Sequence, residues 1–368
     1  MTVNFRINKG ILGPLLTRGL SVVPQSGAVP VLQCFKLDIS PDRLAVSSTN
    51  LENSILSVTD NVQTIDTFSF VVPAKKFSSI IAKTEMGEID LTITANVLEI
   101  VSGNASWQVQ LPSGEAFPML PQVTSLFPVD VENFKASFLA VRKFASSDVT
   151  RPSLRMIHIE KGKMTACDGI RFSQAVLNED LTHNLNFDIP ALSGDHLVSL
   201  LKDAAELNIG ITDSHLVFNV GNTSLFMNKL TATYPSVEQI MLRPALENKT
   251  SLKFDKVELT KAINRVRINA DLTTEAIGLA ISPTSITVTS KDKNGNGASD
   301  TIPASWPSKD RLLIVNYNYL LQLLQSASTD ECEFLLGEDT KSRKSVILLK
   351  EDSYIGLFPQ TSGNLRVF

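Results

Sequence analysis

The amino-acid sequence predicts an α+β fold in which one domain is repeated three times, each copy an antiparallel sheet with two helices. An aromatic residue followed by proline recurs at nearly equal intervals, at Phe117-Pro118, Tyr234-Pro235 and Phe358-Pro359. A second landmark, where a hydrophobic run leads into a helical pattern, has the same period, at residues 72–76, 189–192 and 315–318. A period of about 120 residues is the size of a whole domain. We therefore expect domains at residues 1–122, 123–246 and 247–368.

Short runs of alternating polar and apolar residues, separated by Gly, Asn, Asp and Ser, fill most of each repeat. Typical runs are residues 97–101 and 107–111 in the first copy, 216–220 in the second, and 285–289 and 345–349 in the third. Alternation with period two predicts half-buried strands of antiparallel sheets.

Two helical patterns stand out in each repeat. The first has apolar residues at three- and four-residue spacing, at Leu12, Leu15 and Leu16, at Phe134, Phe138 and Val141, and at Leu259, Ile263 and Val266. Pro14 lies inside the first of these patterns and weakens it, because an interior proline removes a hydrogen bond. The second helix is predicted to start at Ala74, at Leu192 and near Tyr317.

The net charge of -4, from 34 basic and 38 acidic residues, argues against a protein that binds nucleic acid over its whole surface. It leaves room for a basic lining inside an acidic exterior. The three cysteines, one per repeat and without CxxC spacing, predict reduced thiols in a cytoplasmic protein rather than disulfides or a zinc site. The sequence shows neither a signal peptide nor an apolar run long enough to span a membrane, so we expect no membrane association.

No catalytic constellation is recognisable, and we expect neither an enzyme nor a bound cofactor or metal. Asp168-Gly169 offers a carboxylate beside a flexible residue, but a turn after a strand is the favoured interpretation. Residues 291–297 resemble a calcium loop that lacks its closing glutamate, and a hairpin loop is favoured there. The pattern as a whole indicates a binding or structural protein.

Four segments carry a family resemblance. They are residues 167–172 (CDGIRF), residues 72–77 (VPAKKF), residues 49–52 (TNLE), and Tyr234-Pro235 with Ile240. In their order and spacing, over the whole chain, they resemble the bacterial DNA polymerase III beta subunit, the sliding clamp. The resemblance implies a non-catalytic processivity factor, a head-to-tail homodimer whose six domains close a ring around duplex DNA. It also implies that DNA polymerase, the clamp loader and other clients bind through short linear peptides.

In this family the helices line the hole of the ring, so the resemblance implies that basic side chains on them face DNA without reading bases. The candidates are Lys9, Arg18, Lys75, Lys76, Lys135, Arg142, Lys143, Arg151, Lys202, Lys261 and Arg265. Each one taken alone also fits an ordinary solvated surface charge. Ser26, Pro152-Ser153 and Ala191-Leu192 replace residues that are basic or aromatic in many relatives, which implies a less basic lining.

The resemblance also implies a hydrophobic cleft between the second and third domains where client peptides bind. By position it is formed by Leu154, Cys167, Gly169, Ile170, Arg171, Phe172, Pro235, Gln239, Ile240, Phe358, Pro359 and Gln360. About half of these also fit a purely structural role in the core. Ile170 and Gln360 stand where relatives often have histidine and methionine, which makes the peptide preference of this chain an open question.

For the dimer interface, the resemblance implies Trp107 and Val109 on an edge strand of the first domain, with Ile268 of the last domain opposite them. A tryptophan on an alternating strand also fits the core. Two alternatives to a replication clamp remain: a clamp paralogue with a regulatory or inhibitory ring role, and an enzyme built on a threefold repeat. Residues 364–368 (NLRVF) resemble the clients' peptide pattern and raise the question of self-docking.

Overall fold

The computed structural model describes residues 2–112, 116–121, 123, 125–177, 185–247, 249–337 and 346–361. The threefold repeat is confirmed by the order of the elements. Each copy runs strand, helix, four strands, helix, three strands. The chain forms two compact units, Met1–Val131 with Ser193–Lys229, and Glu132–Leu192 with Leu230–Phe368.

The elements of the three copies correspond one to one. The first copy consists of β1 (Thr2–Asn8), α1 (Lys9–Leu20), β2 (Cys34–Ser40), β3 (Arg43–Thr49), β4 (Asn53–Thr59), β5 (Phe68–Pro73), α2 (Ala74–Lys83), β6 (Glu88–Thr94), β7 (Val97–Ser102) and β8 (Ala105–Gln110). The second consists of β9 (Phe127–Val129), α3 (Val131–Val141), β10 (Met156–Glu160), β11 (Lys163–Cys167), β12 (Phe172–Val176), β13 (Asn186–Pro190), α4 (Gly194–Leu201), β14 (Leu207–Ile211), β15 (His215–Val220) and β16 (Thr223–Asn228). The third consists of β17 (Lys249–Asp255), α5 (Lys256–Val266), β18 (Ala276–Ser282), β19 (Ser285–Lys291), β20 (Gly297–Ser305), β21 (Arg311–Asn316), α6 (Tyr317–Ser326), β22 (Glu331–Gly337), β23 (Val346–Lys350) and β24 (Tyr354–Pro359).

All strand pairs among the described residues are antiparallel, and pairs between copies extend the sheets. In the first unit, β4 pairs with β16 and gives the order β5-β2-β3-β4-β16-β15-β14-β9, beside a four-stranded sheet β1-β6-β7-β8. In the second unit, β12 pairs with β24 within a sheet that runs from β13 to β21. The predicted α+β class, with antiparallel sheets and two helices per copy, is confirmed.

Three of the helices begin at a capping side chain that accepts a hydrogen bond from the first turn. Asn8 caps α1 through Gly10 N at 2.9 Å, Asp255 caps α5, and Asn316 caps α6. Helix α1 continues through Pro14, where the proline removes one backbone hydrogen bond on the exposed side of the helix. Among the described helices, none is long and apolar enough to cross a membrane.

Helix α1 packs closely on its sheet at Gly19. A Cβ there would lie 2.8 Å from the Phe35 ring, so a larger residue would push the helix off the strands. The Ser48 hydroxyl donates to the Gly19 carbonyl at 2.9 Å and holds this contact. Phe35 and Phe77 are fully buried in the same core, so the helix–sheet contact rests mainly on burial of apolar side chains.

One of the repeat landmarks is not equivalent to the others. Phe117-Pro118 and Tyr234-Pro235 follow the last strand of their copies, whereas Phe358-Pro359 lies inside β24, where Phe358 pairs with Ile347. The interpretation of the third pair as a repeat landmark was wrong, because an apolar residue before a strand-terminal proline has the same local pattern. The helix-opening landmarks at residues 72–76, 189–192 and 315–318 do occupy the same place in each copy, at the end of β5, β13 and β21.

Two histidines predict how stability depends on pH. Burial lowers the pKa of His196 on α4 and of His215 on β15, although Asp195 and Asn228 oppose the shift. Because the unfolded chain then binds more protons than the folded one below a pH of about 6.5, stability is expected to fall as the pH is lowered from 7 toward 5. Urea unfolding at a series of pH values measures this, and a His196→Gln variant should show a smaller decrease. An identical decrease in that variant would contradict the assignment to His196.

Candidate functional site

The segment from Asp168 to Arg171 is the turn between β11 and β12, as the sequence favoured. Asp168 Oδ1 accepts from the backbone N–H groups of Ile170 at 2.8 Å and Arg171 at 2.7 Å. Gly169 has a φ of 91°, a conformation that a residue with a side chain rarely adopts. The Asp168 carboxylate therefore fixes the turn and is not placed as a catalytic group.

The Arg171 side chain is held by its own chain on three sides. Its Nε donates to Asp168 Oδ2 at 2.7 Å, and its Nη1 donates to Gln322 Oε1. The guanidinium lies 4.5 Å from the centre of the Tyr319 ring and 5.5 Å from that of Phe144, within the range of cation–π contacts. Arg171 is only 9% exposed, so its main role in the single chain is to join the β11–β12 turn to α6.

Three apolar members of the predicted cleft belong to one hydrophobic cluster. Cys167 and Phe172 are fully buried, and Leu154 packs against them half-buried. Burial raises the pKa of the Cys167 thiol to about 11, so it is a packing group and not a nucleophile. Its Sγ lies 3.2 Å from Sδ of Met241. Met241 belongs to the cluster, although the sequence did not indicate it.

The exposed members lie around this cluster. Ile170 is 49% exposed at the turn and Ile240 is 70% exposed, so both offer apolar surface to a partner. Gly169 is closely packed, since a Cβ there would lie 3.0 Å from Arg151 Nη1 and 3.6 Å from Leu154 Cδ1. Gln239 is exposed, and Pro235 is half-buried beside it.

The end of β24 contributes differently from the prediction. Phe358 is fully buried, and its ring meets that of Tyr319 edge-on with centroids 6.3 Å apart. Pro359 and Gln360 are half-buried at the surface. Tyr319 and Gln322 of α6 thus belong to the site although the sequence did not indicate them. Their only signal was an aromatic and an amide three residues apart, on one face of a predicted helix.

The predicted DNA-facing residues lie on or next to helices, and four of them donate hydrogen bonds to neutral partners. Lys9 donates to the Ala82 carbonyl at 3.1 Å, Arg18 to Thr223 Oγ1 at 2.7 Å, Lys75 to Gln25 Oε1 at 2.8 Å, and Lys143 to Gln325 Oε1 at 2.9 Å. Neutral partners orient these cations without cancelling their charge, which suits contact with phosphates.

Three of the other cations are paired with carboxylates. Lys261 lies 2.9 Å from Glu258, Arg265 2.5 Å from Asp300, and Arg151 3.6 Å from Asp148. Arg142 lies over the Phe138 ring at 6.0 Å, Lys76 and Lys202 are exposed, and Lys135 is half-buried. The pairing of Lys261 and Arg265 with carboxylates lowers the net positive charge beside α5.

The predicted interface residues lie in different surroundings. Trp107 is half-buried on β8 and packs against the core of the first copy, where Val109 is 1% exposed. Val109 therefore offers no side-chain surface to a partner, because the alternation of β8 turns it into the core. Ile268 is 80% exposed in the turn after α5.

The described residues contain no group of three or more His, Cys, Asp or Glu side chains placed to hold a metal ion. Residues 291–297 form the hairpin loop that the sequence favoured, between β19 and β20. Asp292 Oδ1 accepts from the backbone N–H groups of Asn294 at 2.9 Å and Asn296 at 2.8 Å, so this carboxylate shapes the loop.

Comparison with known proteins agrees with this architecture. Residues 3–121 match the family model described as DNA polymerase III beta subunit, N-terminal domain. The beta sliding clamp of Chlamydia muridarum is 24% identical over 80% of this chain and 82% of its own length. That of Haemophilus influenzae is 21% identical over 91% and 93%. Over most of its length the chain is therefore similar to beta sliding clamps, at low identity.

Solved sliding-clamp structures share the whole fold. The beta sliding clamp of C. crescentus superposes with a TM-score of 0.89 at 19% identity, covering 98% of this chain and 99% of that one. The DNA polymerase sliding clamp of Bacillus subtilis gives 0.89 at 20% identity, covering 99% and 100%. The sliding clamp of Bartonella birtlesii, bound to griselimycin, gives 0.87 at 20% identity with the same coverage. These structures share the fold of this chain although at most 20% of the aligned residues are identical.

Proposed function

We propose that this protein is a non-catalytic sliding clamp that encircles duplex DNA and tethers DNA polymerase and other replication and repair proteins. The observation that carries the proposal is the way the three copies pair their strands. A strand of the first copy, β4, pairs with β16 of the second, and β12 of the second pairs with β24 of the third. By the same rule β20 of the third copy should pair with β8 of a first copy.

Both of these strands have a free edge among the described residues. Strand β8 pairs only with β7, and residues 298–303 of β20 pair only with β19. Since exposed edges of this kind are templates for pairing, we propose that β8 of one molecule pairs with β20 of a second. Two such contacts close a head-to-tail dimer with three domains per chain, at residues 1–122, 123–246 and 247–368.

The repeat also predicts the register in which β8 of one molecule pairs with β20 of the other. In the chain, Val58 N donates to Asn222 O at 2.9 Å, and Val176 N donates to Ser353 O at 2.8 Å. The residue at the place of Asn222 and Ser353 in the β7–β8 turn is Asn104.

The donor follows from the start of each strand. The first paired residue after the hairpin loop is Ser54 in β4, Phe172 in β12 and Gly297 in β20. Four residues further along each strand lie Val58, Val176 and Thr301, so Thr301 takes the place of the two donors. Because Ala304 N points to the β19 side, alternation turns Thr301 N to the free edge. The proposed bond runs from Thr301 N of one molecule to Asn104 O of the other.

For the DNA, we propose that the basic side chains on the helices face the duplex. The protein alone is expected to bind short linear duplex weakly, without sequence preference and with a steep salt dependence. Reversing Lys76, Arg142 and Lys261 together to glutamate should weaken this binding and flatten the salt dependence. Reversing Lys36, Lys161 and Lys309, which lie off the helices, is the matched control and should have a smaller effect. Tight or sequence-specific binding to the linear duplex would contradict the proposal.

The experiment that tests the function is topological. With a clamp loader and ATP, the protein should be retained on nicked circular DNA and lost after the circle is linearised, because a closed ring leaves DNA only over an end. Equal retention on both forms would overturn encirclement. A ring that is retained but blocks a polymerase instead of increasing its processivity would favour the regulatory paralogue.

For clients, we propose that peptides bind beside the Cys167–Phe172 cluster, with Ile170 and Ile240 as the exposed apolar surface. Each aliphatic or aromatic anchor that becomes fully buried contributes about 1.5–3 kcal/mol. Arg171 supports the site through Tyr319 and Gln322. The question of self-docking by the C-terminal residues 364–368 lies outside the described residues.

A further inference from the structure

The wall of the proposed cleft is a short, irregular segment, residues 234–246, which we call the wall segment. It contains a π-helical turn, Glu238–Leu242, followed by a single helical turn, Arg243–Ala245. Helices this short are marginal in water, and π turns are rare and often found at functional sites. The position of the wall segment must therefore depend on side-chain contacts with the sheet beneath it.

Apolar contacts set how deeply the wall segment sits. Val237, Leu242 and Ala245 are buried in the cluster that contains Cys167 and Phe172. Hydrophobic contacts are not directional, so they hold the segment against the sheet without fixing where it lies along the strands.

Polar contacts fix where the wall segment lies along the strands. The Glu238 carboxylate accepts from Lys163 Nζ, at 3.2 and 3.3 Å to its two oxygens, and from Gln174 Nε2 at 3.2 Å. Gln174 is buried and also donates to Thr165 Oγ1 at 3.0 Å, so its amide is fixed from below. Lys163 and Gln174 belong to β11 and β12, the two strands that carry Cys167 and Phe172.

A second contact holds the start of the wall segment. The Tyr234 ring stacks on His158 with centroids 4.7 Å apart and planes 8° from parallel. His158 Nδ1 lies 2.7 Å from Asp188 Oδ1, which orients the imidazole. Beside these contacts is a polar depression of about 310 Å³, lined by Pro235 and Gln239 among others, so the sheet leaves room for the segment to shift.

We propose that Lys163, Gln174 and Glu238 form a latch that positions the wall of the client-peptide cleft. These are positioning residues: Glu238 lies between Pro235 and Ile240 in the chain, and releasing it lets both move. The latch rests on the proposed clamp function, since it presupposes that peptides bind at this cleft.

The protonation of Glu238 suits this role. Burial alone would raise the pKa of its carboxyl, but the hydrogen bonds from Gln174 and Lys163 and the charge of Arg243 outweigh that effect and lower it. The latch is therefore formed at neutral pH and opens only in acid, as the pH falls through this lowered pKa.

The test measures binding of a fluorescent Gln-Leu-Ser-Leu-Phe peptide to the full-length protein, with urea unfolding of each variant beside it. Lys163→Met and Glu238→Gln should each raise the Kd about three- to tenfold, the effect of losing a half-exposed charged contact. The charge swap, Lys163→Glu with Glu238→Lys, should restore affinity to within about twofold of the original protein. A purely structural role would not be rescued by the swap.

The matched control is Lys36→Met. Lys36 pairs with Asp38 at 2.9 Å, with side chains 36% and 39% exposed, close to the 42% and 41% of Lys163 and Glu238. It should leave the Kd unchanged. The latch would be overturned if both single latch variants bind the peptide with unchanged Kd. It would also be overturned if the charge-swap variant binds no more tightly than the single variant with the higher Kd.

An Ile240→Glu variant separates the latch from the function on which it rests. If the peptide binds the original protein and Ile240→Glu abolishes binding, the cleft is supported and only the latch is at stake. If the original protein does not bind the peptide, or Ile240→Glu binds it equally well, the cleft and the latch are both overturned.

Discussion

Replacing Arg171 with methionine is expected to lower the free energy of unfolding by about 3 kcal/mol, the cost of breaking a buried, hydrogen-bonded ion pair. Asp168 would keep a carboxylate that is 14% exposed with no cation on Oδ2, while Gln322 and Tyr319 would lose their shared partner. Urea denaturation followed by circular dichroism measures the change.

Two variants make this result specific. Lys261→Met breaks the exposed pair with Glu258, in which the side chains are 55% and 47% exposed, and should cost less than about 1 kcal/mol. Adding Asp168→Asn to Arg171→Met should recover part of the loss, because it removes the uncompensated charge. If Arg171→Met unfolds within about 1 kcal/mol of the original protein, the cluster does not hold the turn to α6 in the way described.

The role of Arg171 shows what the sequence can and cannot predict. The turn from Asp168 to Arg171 follows from local chemistry, since an aspartate before glycine after a strand favours a tight turn. The resemblance placed Arg171 in a client site, but the contacts of its guanidinium with Gln322 and Tyr319 join residues far apart in the chain. No local pattern indicates such a pairing, because it depends on how α6 packs on the sheet.

The core and edge residues show the same limit. Strand alternation correctly put Trp107 and Val109 on one face of β8, yet periodicity alone does not say whether that face meets the core or a partner. The structure turns Val109 into the core, and the proposed dimer contact then rests on the backbone edge, on Trp107 and on Ile268. Phe358 likewise has the local pattern of a repeat landmark and is a buried strand residue.

The threefold repeat carries more information than any single motif. Two of the three strand pairings that the repeat predicts between copies, β4 with β16 and β12 with β24, occur inside one chain, and the third, β20 with β8, does not occur among the described residues. Each of the three copies has both strand edges that this pairing needs, but only two pairings form within the chain. One edge of the first copy, on β8, and one edge of the third, on β20, are therefore left to pair with each other between molecules. The proposed dimer therefore rests on this unmatched pairing and needs no property of the relatives.

The proposed edge pairing predicts that Thr301→Pro separates the dimer into monomers. Proline removes the N–H that faces the free edge and places its ring there, which should weaken dimerisation by about 3 kcal/mol or more, equivalent to over a hundredfold in Kd. Analytical ultracentrifugation at micromolar concentration should then show a monomer, which would not be retained on circular DNA.

A Thr301→Val variant is the matched control. It keeps the edge N–H but removes the hydroxyl, which lies 2.9 Å from the hydroxyl of Thr287 in the same chain and so plays no part in the proposed pairing. It should therefore remain a dimer. Because Thr301 N faces away from β19, Thr301→Pro should change the unfolding of the monomer far less than it changes dimerisation. A proline variant that sediments as a dimer, or a valine variant that sediments as a monomer, would contradict pairing through the backbone edge of β20.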